Sequence, residues 1–225
     1  MATFSHGNGS ETIRLAEARR LMVESQIRKR GVVDEHVLQA MSNVPRHEFV
    51  PALWINQTYG DEPLPIGHGQ TISQPYIVAA MVASLALSGS EMVLEIGTGC
   101  GYQAAVVSLL AREVHSIEIL PELAQSAAER LSRLAYANVH VHGGDGTLGW
   151  PESSPYDAII VAAAAPAVPE PLLQQLAEGG RLVAPVGEED KQELQLVAKR
   201  EGKFIVQRGG PCRFVPLKGR YGWGK

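Results

Sequence analysis

Val-Leu-Glu-Ile-Gly-Thr-Gly-Cys-Gly, residues 93–101, is the stretch whose reading decides the fold. An apolar run of strand type breaks into a turn with glycine at every second position, and a helix is expected at once over 102–111. Gly97, Gly99 and Gly101 leave backbone where side chains would otherwise stand. A flat adenosine-bearing ligand can then lie against the turn at the carboxyl end of the strand. The spacing discriminates between ligands. A dinucleotide fingerprint is G-x-G-x-x-G, whose third glycine would fall on Tyr102, and a P-loop needs G-K-[ST], which is absent. G-x-G-x-G suits an adenosine ligand with no pyrophosphate to cradle, of which S-adenosylmethionine is the commonest. A tight strand-to-helix turn that is glycine-rich for packing is the plainer alternative.

Working outward, Glu-Val-His-Ser-Ile-Glu (113–118) reads as a second strand ending in a carboxylate, Glu118, 21 positions after Gly97. An acid about 20 residues beyond the first glycine accepts hydrogen bonds from ribose hydroxyls. The competing role for Glu118 is to cap the helix that Pro121 opens. A third strand, near 138–142, leads into Gly-Gly-Asp-Gly, where Asp145 stands either beside an adenine amino group or in a ligand-free turn.

From residue 92 the pattern alternates. Strands are expected at 92–97, 113–118, 138–142, 157–162 and 180–186, with helices at 102–111, 121–135 and 169–177. Such alternation specifies an α/β, doubly wound, Rossmann-like fold, a mostly parallel sheet with helices on both faces. Residues 192–199 and 204–208 flank Arg-Glu-Gly-Lys and read as an antiparallel hairpin closing the sheet, with one more short strand at 213–217. Ahead of the sheet, 11–30 reads as a helix stopped by Gly31, and Asp34 caps a second helix to about 42. The stretch 44–75 is proline-punctuated and irregular, yet too apolar for disorder, so it is expected to pack over something. A further helix runs from Pro75 to 87. Residues 1–10 are small and polar and are expected to be a disordered tail; 11–225 forms one domain, divided into 11–91 and 92–225.

Composition excludes several classes. Apolar residues make up 45% of the chain and charged residues 20%, as in a globular domain, and the net charge of −4 carries no basic stripe, so nucleic acid is not expected as a partner. Two cysteines, Cys100 and Cys212, make no disulfide framework. The longest apolar run, 76–87, falls short of the ~20 residues that span a bilayer. No signal-peptide pattern opens the chain, so a cytoplasmic location with no membrane partner is the expectation. No His/Cys/Asp cluster has metal-ligand spacing, so no metal is expected.

The stretch that narrows the reaction is Tyr-Gly-Asp-Glu-Pro-Leu-Pro-Ile-Gly-His-Gly-Gln-Thr-Ile-Ser-Gln-Pro (59–75). It resembles the signature of protein-L-isoaspartate (D-aspartate) O-methyltransferases, above all in Leu-Pro-Ile-Gly and Thr-Ile-Ser-Gln-Pro. Val-Pro-Arg-His-Glu-Phe-Val-Pro (44–51), residues 94–103, Gly-Asp-Gly (144–146), residues 156–166, 179–187 and Phe-Val-Pro-Leu (214–217) are similar in order, so the likeness covers roughly 11–222. The resemblance implies methyl transfer from S-adenosylmethionine, with S-adenosylhomocysteine as product. The acceptor it implies is the free α-carboxylate of isoaspartyl residues in proteins and peptides, with repair then starting through a succinimide. It further implies Ser73 as the active-site residue; Gly97, Gly99, Cys100 and Gly101 as the cofactor loop; Glu118 as the ribose acid; Asp145 and Gly146 at adenine; and Val215, Pro216 and Leu217, with Ser73, at the peptide. A monomer is expected. Cys100 stands where serine is common, and the tail from Lys218 follows the bacterial form.

On chemistry alone, Ser73 could equally be the N-cap of the helix that Pro75 opens. His68, in the same loop, is read as solvated or bonded to backbone, and His47 as structural. Two other functions compete with this one: a methyltransferase for nucleic acid, and a fold of this type used only for binding. Against the first, residues 161–166, Val-Ala-Ala-Ala-Ala-Pro, offer no [N/D]-P-P-[Y/F] pocket for a base; against the second, neither the glycines nor Glu118 is lost.

Overall fold

The computed structural model describes residues 7–188 and 190–223. Helix α1 runs Gly7–Met22, so the expected disorder over 1–10 is corrected for 7–10, while 1–6 lie outside the described residues. Leu15, Ala18 and Met22 pack this helix on the core. Once it is nucleated, each added residue gains a hydrogen bond, so a further turn costs little. A π turn (Val23–Ile27) and a 3-10 turn (Arg28–Arg30) carry it on to Gly31, which stops it at φ 97°. Helix α2 (Glu35–Asn43) is capped as expected, the Asp34 carboxylate accepting from the His36 N–H at 2.9 Å.

The stretch 44–75 has more regular structure than its prolines suggest. Two 3-10 turns, Arg46–Phe49 and Ala52–Gln57, precede an antiparallel hairpin of β1 (Leu64–Gly67) and β2 (Gln70–Ile72). Strands of four and three residues are too short to show a period. Phe49, Tyr59, Leu64 and Ile72 are buried in the core, which is where their apolar surface had to go. Helix α3 (Pro75–Leu85) follows and ends two residues early at Ala86, in left-handed conformation.

The rest is a seven-stranded sheet. Its strands are β3 (Met92–Ile96), β4 (Glu113–Glu118), β5 (Val139–Gly143), β6 (Tyr156–Val161), β7 (Leu176–Glu188), β8 (Lys191–Arg200) and β9 (Lys203–Cys212). Spatial order is β5-β4-β3-β6-β7-β8-β9; the first five are parallel, and β7-β8-β9 is antiparallel. The chain moves out from β3 to β5 and returns to β6 on the other side of β3. A crevice therefore opens at the carboxyl ends of β3 and β6.

Alternation along the strands sorts the core. Val93, Val114, Ala158 and Ile160 face α3 and α4 (Tyr102–Ser108), and Leu131 of α5 (Pro121–Arg133) joins them. Leu94, Ile96, Ile159 and Val161 face the other side, covered by Leu172 of α6 (Glu170–Gln174), Trp150 and Leu217. Two expectations are corrected here. The helix over 169–177 shrinks to α6, because Leu176 already pairs with Tyr156 as the start of a 13-residue β7. The strand over 213–217 reduces to one parallel bridge, Pro216 to Ala164, since proline donates no ladder hydrogen bond.

Candidate functional site

The turn after β3 is built from backbone. Gly97, Gly99 and Gly101 have φ of 91°, 55° and 90°, a region side chains disfavour. The N–H of Gly97 donates to Ile117 O at 2.8 Å, that of Gly101 to Thr98 O at 2.8 Å, and Arg130 Nη1 donates to Cys100 O at 2.9 Å. Gly97, Thr98, Gly99 and Cys100 wall a cavity that opens to solvent at its mouth. Gly101 is not on that wall. A Cβ there would stand 3.1 Å from Leu131, so this glycine serves the packing of α5 on the turn. Cys100 is buried, and burial pushes its thiol pKa up.

Glu118 is 5% exposed and spans two elements. One oxygen accepts from the Gly99 N–H at 2.8 Å, the other from Leu120 N–H at 3.1 Å. Each oxygen keeps a lone pair, and Ile119 and Leu120 continue the wall. Leu120, not Glu118, occupies the N-cap position of α5.

Asp145 and Gly146 separate. Gly146 lines the cavity, where a Cβ would press to 2.6 Å from Ile96. The Asp145 carboxylate is not among the lining groups. It accepts from Thr147 N–H at 2.9 Å, Thr147 Oγ1 at 2.6 Å and the Arg220 N–H at 2.8 Å.

Under the turn lies a polar network that reading along the chain missed. Glu95, fully buried in β3, accepts from Ser116 Oγ at 2.5 Å and Gln103 Nε2 at 3.0 Å, and Thr98 Oγ1 sits 2.6 Å from the same serine. Burial pushes the Glu95 pKa up to about 7, opposed by the hydrogen bonds from Ser116 and Gln103. Thr98 and Gln103 line the cavity. With its amide nitrogen committed to Glu95, Gln103 keeps its carbonyl as a free acceptor. The signal was available: a carboxylate inside an otherwise apolar strand needs partners.

Ser73 stands where two spaces meet. With Thr71, Ala162, Val215 and Pro216, it lines both the cavity and an adjoining open cleft. Its hydroxyl has no hydrogen-bond partner among the described residues, and it does not cap α3, whose N-cap position is Gln74. Asp61 does that work, accepting from the Tyr76 N–H at 3.2 Å and Gln74 Nε2 at 3.3 Å while paired with Arg30. Leu217 lines the cavity only. The cleft wall carries Arg30 and Arg213 and no carboxylate. His68 is exposed at the hairpin tip, away from both spaces, and His47 Nδ1 lies 2.6 Å from Tyr59 Oη. Among the described residues, no three His, Cys, Asp or Glu side chains could hold a metal, and no helix is long and apolar enough to cross a membrane.

The comparisons agree with one another. A family model described as Protein-L-isoaspartate(D-aspartate) O-methyltransferase matches residues 17–222. Protein-L-isoaspartate O-methyltransferase 1 of Syntrophobacter fumaroxidans is 55% identical over 212 residues, 94% of this chain and 99% of that protein. Its counterpart in Methanoculleus marisnigri is 54% identical over 203 residues, 90% of this chain and 92% of that one. A solved protein-L-isoaspartate O-methyltransferase superposes with a TM-score of 0.82 at 32% identity, covering 92% of this chain and 67% of that one. A structure from Plasmodium falciparum, described as a complex of such an enzyme with S-adenosyl-L-homocysteine, gives 0.75 at 26% identity, covering 89% and 98%.

Proposed function

This chain belongs to the protein-L-isoaspartate(D-aspartate) O-methyltransferase family, and on that premise we propose that it methylates the free α-carboxylate of L-isoaspartyl, and of D-aspartyl, residues in damaged proteins and peptides, using S-adenosylmethionine. The observation that carries the reading is Ser73, an uncommitted hydroxyl at the junction of the cavity walled by the glycine turn and the adjoining cleft. A bisubstrate transfer needs that layout: two adjoining spaces, one for each ligand, and a polar group where they meet.

The cavity fits the cofactor by its donor set. Bare backbone at Gly97, Gly99 and Cys100 offers a surface for the amino-acid portion, the Glu118 carboxylate serves the ribose, and Gly146, packed on Ile96, gives adenine a wall of backbone beside Ile96 and Ile117. The turn itself carries no Gly-Lys-[Ser/Thr] element to meet a pyrophosphate. When bound, S-adenosylmethionine supplies an electrophilic methyl on a sulfonium whose charge disappears on transfer. The acceptor is a carboxylate with an intrinsic pKa near 4, already an anion at neutral pH, so no general base is needed. The residues therefore position and exclude water. The Ser73 hydroxyl donates to one carboxylate oxygen and leaves the other free. Val215 and Pro216 hold the peptide along the cleft, and Val78, Ile96 and Leu217 keep the junction dry. Orientation of this kind can supply roughly 7–11 kcal/mol of a barrier. The ester formed then closes to the succinimide, the next residue's backbone nitrogen attacking the ester carbonyl, losing its proton and displacing methanol. The enzyme acts as a monomer, with no nucleic acid as partner.

The test offers labelled S-adenosylmethionine with paired peptides carrying isoaspartate or aspartate at one position, and transfer RNA as a third acceptor. Base-labile label in the isoaspartyl peptide alone is expected. Equal labelling of the pair, or preferential labelling of RNA, overturns the reading.

A further inference from the structure

Arg46, in the Val-Pro-Arg-His-Glu-Phe-Val-Pro stretch, stands on neither the cavity wall nor the cleft wall. It is fully buried, at 0% exposure. Its Nε donates to the Thr58 carbonyl oxygen at 2.8 Å, and its guanidinium lies over the Tyr102 ring, 4.9 Å from the centroid. Nη1 and Nη2 have no hydrogen-bond partner among the described residues, and no carboxylate there pairs with the group. Burial pushes its pKa down, yet a guanidinium keeps its proton at neutral pH. A buried cation is costly unless an opposite charge compensates it. One ring face and one carbonyl supply dipoles, not a charge.

That charge stands behind the cofactor cavity. Tyr102 and Cys100, the groups on which it bears most strongly, both line that space. A second guanidinium reaches the same place from α5, where Arg130 Nη1 donates to Cys100 O at 2.9 Å. Two cations therefore converge on Cys100, one from the 44–51 stretch and one from α5. Cys100 is 6% exposed and Tyr102 1%, so packed protein, not water, lies beside the charge and screens it little. In the function proposed above, the amino-acid portion of the cofactor lies against this part of the turn. Its α-carboxylate brings the negative charge that the interior lacks.

We propose that Arg46 is a specificity-determining residue for the cofactor: its buried charge, acting across Cys100 and Tyr102, selects ligands whose amino-acid portion carries an α-carboxylate. Since Arg46 is absent from the cavity wall, it acts through the wall and not by contact. The inference rests on the function proposed above and adds which end of the cofactor the buried charge reads. A ligand with a neutral amide in place of the carboxylate forgoes the attraction, while its nucleoside half still meets Glu118 and Gly146.

Calorimetry on the full chain compares S-adenosylhomocysteine with its carboxamide, which keeps the nucleoside and the amine and loses only the negative charge. The parent should bind the carboxylate form about tenfold tighter or more, which is the effect of two unit charges roughly 10 Å apart at an effective dielectric of about 20. Arg46→Met removes the charge and fills much of the same space with an apolar chain. It should weaken S-adenosylhomocysteine about tenfold and leave the carboxamide within about twofold, so the preference collapses. Arg46→Gln, still able to donate to Thr58 O, is measured beside it and gives the same reading should the Met variant not fold. Equal weakening of both ligands makes Arg46 a structural residue and overturns the proposal, as does an unchanged preference in the neutral variants. A parent chain that binds no S-adenosylhomocysteine overturns the proposed function and this inference with it. A parent that binds it no tighter than the carboxamide overturns this inference alone.

Discussion

Glu118 and Asp145 look alike along the chain, each an acid closing a strand, and the structure gives them different neighbours. Glu118 holds the glycine turn through the Gly99 N–H; Asp145 holds the tail through the Arg220 N–H. Ser73 shows the reverse, a side chain with two roles open that is left with one. Since Asp61 supplies the first-turn acceptor of α3, the serine hydroxyl is spare. Ser73→Ala should therefore leave the melting temperature and cofactor affinity close to those of the parent while lowering kcat/KM for an isoaspartyl peptide about tenfold or more, the worth of one hydrogen bond to a charged group. Thermal melting, calorimetry with S-adenosylhomocysteine and initial rates check this. A variant several degrees less stable with normal rates would make Ser73 a structural residue after all.

At the scale of elements, the glycine turn works by joining β3, α4 and α5 as much as by baring backbone to a ligand. Gly101 is the clearest case: φ of 90°, with Leu131 Cγ and Cδ1 at 3.2 and 3.1 Å from a virtual Cβ. Gly101→Ala should cost about 2 kcal/mol from the left-handed backbone alone, or roughly 4–8 °C in Tm for a chain of this size. Calorimetry reads the shift, and an unchanged Tm would mean that α5 yields at no cost. The β1–β2 hairpin belongs to the same assembly, since Ile66 comes within 3.3 Å of where a Cβ on Gly99 would stand. The stretch that carries Ser73 is thereby braced on the stretch that carries the cofactor turn.

For the molecule as a whole, the buried carboxyl of Glu95 ties stability to pH. Its folded pKa, about 7, lies above the 4.5 of an unperturbed glutamate. The folded state keeps a proton that the unfolded chain releases, so this group's contribution is fully present below pH 4.5 and is lost as pH rises through 7. Glu95→Gln, which keeps shape without charge, should gain stability relative to the parent at pH 8 and show no gain near pH 4.5. Denaturant unfolding at the two pH values decides it: a gain that is equal at both would mean the carboxyl is not titrating in that window.

By itself, the sequence determined the parallel core, the glycine turn and the acid that follows it, because each is written in local pattern. Strand period, backbone freedom and the βαβ spacing all act within some 20 residues. Asp34 as a cap and Gly31 as a stop were legible for the same reason. The family resemblance extended the reading to Ser73 and 215–217, positions that no local pattern marks as functional. Only the tertiary structure decided what the polar groups do. Asp61 reaches α3 from 15 residues before Tyr76, Arg220 reaches Asp145 from 75 residues away, and Glu95 finds Ser116 on the neighbouring strand. A carboxylate carries no record of which donor it will meet. That is settled when strands take their register and the tail closes over the sheet, bringing together groups that are distant along the chain.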